Sequence, residues 1–257
     1  MWYHCQPMLL RQYLHGIMQD WVQMCGPTDP GRPHPTHAMI QLHHDPGSAS
    51  LIPHILLHEL ALPFDLLQVD RLANSHKSPA YLAMNPNGSI PVLQDGDLVL
   101  YETAAICLHL ADSHPQAGFS PPLGSTERAH LYKWLAWLTN TLQATLLHYF
   151  YPERMVKPGD AAAAAQVRVQ AQTRVGVLLD QVEAQLLRSG GPWWFGQDFG
   201  LTDIYAFVLC RWTRNFSGPA AAPARSRPVL AAWLGRVLAR PAVQRALAED
   251  GLTAPFV

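Results

Sequence analysis

Two hydroxyls, Ser48 and Ser50, lie in the stretch DPGSASLIPH (45–54), where a strand-like run gives way to an apolar, helix-like one. Such a turn suits the holding of a reactive or anionic ligand atom, because a helix N-terminus offers free N–H groups and partial positive charge. The plainer role for either serine is to cap the helix. A second candidate anion site is Glu102-Thr103, where the last strand-like run becomes a helix and a hydroxyl meets unpaired backbone N–H groups; a simple helix cap is the structural alternative. Ile90-Pro91 follows the permissive Gly88. It is either a cis X-Pro bond in a tight turn or the proline that starts a strand.

Metal and thiol chemistry find less support. His54 and His58 are four residues apart, close to His43 and His44, and that spacing lets two side chains share one helix face. A metal would need a third ligand there. The sequence supplies none convincingly, so a structural role is expected and no metal is assigned. Cys5, Cys25, Cys107 and Cys210 show no C-x-x-C spacing, which argues against a dithiol redox motif or a zinc knuckle. Buried packing cysteines in a reducing compartment fit better.

The elements that must position these residues alternate up to residue 112 and then become helical. MIQLHH (39–44) and PFDLLQVD (63–70) read as strands, with SLIPHILLHEL (50–60) as a helix between them. Pro53 is tolerated in its first turn, where a missing N–H costs nothing. A looser helical stretch surrounds SPAYLAMN. IPVLQD and LVLYE then flank Asp95-Gly96, a hairpin signal, and ETAAICLHLAD (102–112) reads as a helix. The stretch 113–125 is rich in Pro, Gly and Ser and reads as a linker. Helices are expected over 126–151, 160–189, 201–216 and 228–250. The fold class is therefore a small α/β domain (39–115) followed by an all-helical one (124–257). Residues 1–38 read as a non-core extension, a possible amphipathic helix followed by an open PTDPGRPHPTHA linker.

Bulk composition sets the outer limits. The 257 residues are 49% hydrophobic and 14% charged, with a formal net charge of −1, so a globular chain with a real core is expected. No basic excess points to nucleic acid or to an anionic membrane. No window reaches the ~18 apolar residues of a spanning helix, and no secretory leader pattern is read, so a cytoplasmic location is expected.

Taken in order, PGSASL, NPNGSIPVLQDGDLVLYETAAICLHLAD and GQDFGLTDIYAF resemble the glutathione S-transferase family from about residue 39 to the end. The resemblance implies a thioredoxin-like N-terminal domain, a helical C-terminal domain, a homodimer, and glutathione as co-substrate. It implies that Pro91 is cis and that the backbone of Ile90 pairs with the cysteinyl part of glutathione, as an added strand would. Glu102 would face the γ-glutamyl ammonium, and Thr103 its carboxylate. In serine-using classes the active hydroxyl directly follows the glycine, which is Ser48 here. Bacterial beta-type members place a cysteine one residue later, where this chain has Ala49, so mixed-disulfide chemistry is unsupported. Ser50 remains a second candidate for holding the thiolate. His54, in a Pro-His pair like that of the beta-type turn, would orient the turn. Tyr3 and Tyr13 precede the first strand and do not match a tyrosine-type site. In FGLTDIYAF the family's capping box lacks its hydroxyl, because Gly200 stands at the N-cap before Asp203.

Energetics make the serine turn adequate. A thiol of reference pKa ~8.5 needs roughly 3 kcal/mol of differential stabilisation to be mostly ionised at neutral pH. A hydroxyl bonded to the sulfur supplies ~1.5–3 kcal/mol and a helix N-terminus ~0.3–1 kcal/mol. The expected activity is conjugation of glutathione to a small hydrophobic electrophile; isomerisation, dehalogenation or peroxide reduction would use the same half-site. A non-enzymatic glutathione- or hydrophobic-ligand-binding protein is the alternative. Aromatics of LLHYFYPERM and Trp212 either line the electrophile pocket or pack the helices.

Overall fold

Alternating burial along Ile40–His44 (β1) sends Ile40, Leu42 and His44 inward in the computed structural model, which describes residues 39–217 and 220–257. The expected extension with its helix, and with Tyr3, Tyr13, Cys5 and Cys25, lies outside the described residues. Helix α1 (Leu51–Glu59) follows, with Pro53 in its first turn and seven consecutive buried residues from Leu51 to Leu57. Strand β2 (Phe64–Gln68) runs parallel to β1, as a strand–helix–strand crossover requires.

Helix α2 (Pro79–Met84) begins at Ser78, whose hydroxyl accepts the Tyr81 N–H at 3.2 Å. Strands β3 (Val92–Asp95) and β4 (Leu98–Tyr101) form the expected hairpin, and β3 lies antiparallel to β1, giving the order β2-β1-β3-β4. The turn is one residue later than the Asp-Gly signal suggested. Asp95 pairs with Leu98, so Gly96 and Asp97 form the loop, and Gly96 takes the positive φ of 59° that favours glycine. Helix α3 (Thr103–Ser113) closes this half.

The remainder is helical. Ser125 caps α4 (Thr126–Trp137), which runs through a π-helical segment, Leu138–Gln143, into α5 (Ala144–Phe150). Sequence periodicity predicted one uninterrupted helix over 126–151, and the π turn went unmarked. Helix α6 (Ala161–Arg188) starts at Asp160, whose carboxylate accepts the Ala163 N–H at 2.9 Å. Helix α7 (Leu201–Arg211) is buried along its whole length. The single helix expected over 228–250 is two, α8 (Pro228–Leu238) and α9 (Pro241–Glu249). Pro241 explains the break: proline carries no N–H and disfavours helical backbone before it, and Arg240 is extended.

One hydrophobic core joins the two halves. Leu51, Ile55, Ile106 and Leu110 belong to the same buried cluster as Leu138, Leu142, Ile204 and Phe207. Each such side chain contributes about 1.5–3 kcal/mol when fully buried, so the halves are held together by the term that folds each of them. Asp203 sits inside this core. Its carboxylate accepts N–H bonds from Gly200 (3.1 Å), Trp194 (2.9 Å) and Trp233 (2.9 Å). Gly200 has no side chain to return a bond, so only half of the capping box forms. Burial pushes the Asp203 carboxyl up to about 6, against those hydrogen bonds. Among the described residues, no helix is long and apolar enough to cross a membrane.

Candidate active site

A cleft of about 800 Å³ opens where the β1–α1 turn, the loop before β3 and the start of α3 face α5 and the end of α7. The turn begins at Asp45, whose carbonyl accepts the Ser48 N–H at 3.1 Å. Gly47 takes φ 69°, and an added Cβ would meet Leu252 at 3.3 Å and Arg211 at 3.5 Å. The left-handed φ is what favours glycine there, since both neighbours are flexible side-chain ends. Its two peptide groups are held from the helical half: its N–H donates to Asp250 Oδ2 at 2.8 Å, and its carbonyl accepts the Trp212 Nε1–H at 3.0 Å.

The two serines part company here. Ser50 is fully buried; its hydroxyl accepts the Asp45 N–H and donates to the Asp45 carbonyl, both at 3.1 Å. It stands at the N-cap position without capping α1, so its hydroxyl closes the turn on itself. Ser48 is half-buried, lines the cleft, and lies 3.0 Å from the Ser50 oxygen. With Ser50's proton committed to Asp45, Ser48 is the donor of that pair and also accepts the Ser50 N–H at 3.3 Å; its proton would leave the Ser50 oxygen to turn toward a ligand. Ala49 also lines the cleft, and its N–H has no partner among the described residues.

The other sequence-predicted residues reach the same cleft. The Ile90-Pro91 bond is cis, and Ile90's backbone N–H and carbonyl have no partner among the described residues. The loop before it is braced: Tyr81 Oη and Asn85 Nδ2 donate to the Ser89 carbonyl at 3.0 and 2.8 Å, and Lys77 Nζ donates to the Asn87 carbonyl at 3.1 Å. Gly88, at φ 58°, leaves no room for a Cβ, which would meet the His76 carbonyl at 2.7 Å. Glu102 is the exposed N-cap of α3 with a strained φ of 73°, and Thr103 is buried at the cleft floor as its first helical residue. Among the described residues no side chain caps α3, so its first N–H groups remain available to an anion.

Several lining residues carried no recognised signal in the sequence. Arg71, Lys77, Arg154 and Arg214 outnumber the acids Asp45 and Glu102 around the cleft, so its field favours an anionic ligand. Gln143 reaches it from the π segment, where it also accepts the Tyr205 hydroxyl at 2.9 Å. The aromatic question divides. Phe150, Tyr151 and Trp212 line the opening with Leu147, whereas Tyr149 stacks on Phe216 with ring centroids 4.3 Å apart. Beneath the turn, Arg211 is buried, and its Nε and Nη1 have no partner among the described residues; burial, then Arg214, lower it to about 10, and Asp250 opposes that shift.

His44 and His54 meet Asp250 behind the turn. Asp250 Oδ1 lies 3.1 Å from His54 Nδ1 and 3.3 Å from His44 Nδ1. Burial alone would raise the Asp250 carboxyl, but these imidazoles and the Gly47 N–H hold it well below the usual carboxylate range. Among the described residues Cys107 and Cys210 are buried without a disulfide partner, and burial pushes both thiols up, Cys210 to about 12, so neither supplies a nucleophile.

Comparison with known proteins places the geometry. Residues 48–113 match the model of the glutathione S-transferase N-terminal domain, and residues 161–236 that of its C-terminal domain. A glutathione S-transferase of Xanthomonas campestris, GST-4.5, is 32% identical over 213 residues, covering 83% of this chain and all of that one. A Sulfitobacter glutathione transferase homologue, solved with bound glutathione, superposes with a TM-score of 0.74 at 29% identity, over 84% of this chain and 99% of the other. A sphingomonad glutathione S-transferase complexed with glutathione gives 0.69 at 30% identity, over 83% and 100%.

Proposed function

The chain belongs to the glutathione S-transferase family, and from that premise we propose that it joins the thiolate of glutathione to a small hydrophobic electrophile, with Ser48 holding the sulfur. The observation that carries this reading is the division of labour in the turn. Ser50's proton is tied to Asp45, whereas the Ser48 hydroxyl, 3.0 Å away, borders the cleft. Ser48 stabilises the charged sulfur rather than attacking. Ala49's free N–H and the start of α1 add to the same positive field.

The rest of the tripeptide would lie along this half of the cleft. Ile90's unpaired backbone suits the cysteinyl peptide group as an added strand does. Thr103 and the open N-terminus of α3 suit the γ-glutamyl carboxylate, and Glu102 its ammonium. Leu147, Phe150 and Trp212 form the apolar wall on which the electrophile would rest, and binding both reactants supplies the proximity. The working boundaries of the two domains are 39–115 and 124–257, the assembly a homodimer, and the location the cytoplasm, where buried thiols such as Cys107 and Cys210 stay reduced.

The test is an ultraviolet titration of the thiol of glutathione bound to the wild type and to Ser48→Ala. A bound thiol well below its free value, restored toward it by Ser48→Ala with glutathione still bound, supports the reading. An unshifted thiol in the wild type, with no conjugation of a generic aromatic halide, refutes it.

A further inference from the structure

Helix α1 carries His54 and His58 on one face, and the fold brings the end of α9 against it. Glu249 Oε2 lies 2.9 Å from His54 Nε2 and 2.8 Å from His58 Nε2, so three potential ligand atoms lie within 4.8 Å of one another. This is the third ligand that the sequence around the two histidines does not contain.

The proton inventory makes the convergence informative. Asp250 accepts the Gly47 N–H on Oδ2 and meets His54 Nδ1 with Oδ1; a carboxylate can only accept, so Nδ1 carries the hydrogen. In a neutral His54 the Nε2 is then a bare lone pair, yet it faces another carboxylate oxygen, that of Glu249. Two acceptors at 2.9 Å need a positive species between them. An imidazole whose far nitrogen donates to a carboxylate is the arrangement that fixes a metal-ligating tautomer and raises its basicity. Phe64 stands edge-on to both rings, with centroids 5.6 Å from His54 and 5.0 Å from His58, and so limits their rotation.

We propose that His54 Nε2, His58 Nε2 and Glu249 bind one divalent transition ion of the zinc type, with Asp250 orienting His54. Imidazole and carboxylate ligands in this number suit Zn²⁺, with a fourth position left for water. Metal–ligand lengths of about 2.0–2.1 Å would spread tetrahedral ligand atoms to roughly 3.3 Å, a small opening of the present contacts. The Glu249 side chain is 42% exposed and can make that adjustment, and it gives the ion an entry path from solvent. The ion would pin α1 to α9 next to Asp250, the residue that holds Gly47. The site is separate from the glutathione cleft and does not depend on the transferase reading.

The experiment uses the full chain, stripped with a chelator and kept free of glutathione, which itself binds zinc. Zn²⁺ is titrated against a chromophoric competitor and Co²⁺ by its visible spectrum, for the wild type, His58→Ala and Glu249→Gln. Both substitutions fall on partly exposed side chains, and unfolding in chelator verifies that each variant folds. The expected result is one ion per chain with tetrahedral Co²⁺ bands and at least tenfold weaker binding in each variant. At a hundredfold excess of Zn²⁺ over Kd, the wild-type Tm should rise by roughly 5–10 °C. Binding that neither variant weakens, or no binding at all, overturns the proposal.

Discussion

Asp250 holds the peptide N–H of Gly47 at 2.8 Å although 203 residues separate them, and Trp212 holds the carbonyl of the same glycine at 3.0 Å. The turn that carries Ser48 is therefore shaped by the far end of the chain as well as by its own residues. Removing this hold should loosen the turn without touching a lining side chain. Asp250→Ala is expected to cost about 1–3 kcal/mol of stability, since buried donors on Gly47 and His54 lose their acceptor. It should lower kcat/KM for glutathione in parallel. Chemical denaturation and steady-state kinetics measure the two, and unchanged values in both would show that Asp250 is a bystander.

Ser50→Ala isolates the other hydroxyl of the turn. Its loss leaves the Asp45 N–H without its acceptor, at a cost of about 1–2 kcal/mol. The thiol of bound glutathione should stay depressed, because Ser50 does not border the cleft. If Ser50→Ala, and not Ser48→Ala, restores that thiol to its free value, the roles given to the two serines are reversed.

Gly88→Ala tests the loop before Pro91. The new Cβ would meet the His76 carbonyl at 2.7 Å and would sit at φ 58°, which alone costs an L-residue about 1–2 kcal/mol. Calorimetric titration with glutathione should show at least tenfold weaker binding, with global unfolding altered by a smaller amount than the loop itself.

Phe150→Ala addresses the electrophile wall. Removing a ring that is still 38% exposed takes away part of a side chain's apolar contact, about 1–2 kcal/mol, or roughly tenfold in kcat/KM for a hydrophobic electrophile. The dissociation constant for glutathione alone should not move. Equal losses for both ligands would place Phe150 in the packing of the helical half instead.

Asp203 makes stability depend on pH in an unusual direction. Its folded carboxyl is raised to about 6, above the ~3.9 of an unfolded chain, so between those values the folded state binds the extra proton. This group's contribution is most favourable below pH ~4 and is lost as pH rises through about 6, a change of about 2–3 kcal/mol. Denaturation midpoints from pH 4 to 7 should carry that falling component in the wild type. Asp203→Asn, which keeps an acceptor for the Trp194 and Trp233 N–H groups, should remove it. An identical pH slope in the two proteins would refute the assignment.

The sequence by itself determined what short-range chemistry determines. The β3–β4 hairpin, the helix starts near 126 and 160, and the order of strands and helices along the chain each depend on residues within about ten positions. Ser48, Ile90, Pro91, Glu102 and Thr103 were grouped into one site by the family resemblance of their motifs, and the β1–β3 pairing is what brings them to one cleft. Pro241 was legible in principle, and the helix break it causes shows that a local rule outweighs a long apolar pattern. Which serine faces the cleft was not legible, because the answer lies in the hydrogen bonds Ser50 makes to Asp45. Nor were Gln143 on its π turn, Trp212 on Gly47, or Glu249 beside His54 and His58. Those contacts join residues 62 to 195 positions apart. No local pattern encodes them; the shared core that packs α7 and α9 against α1 does, by burying apolar faces whose partners only the folded chain selects.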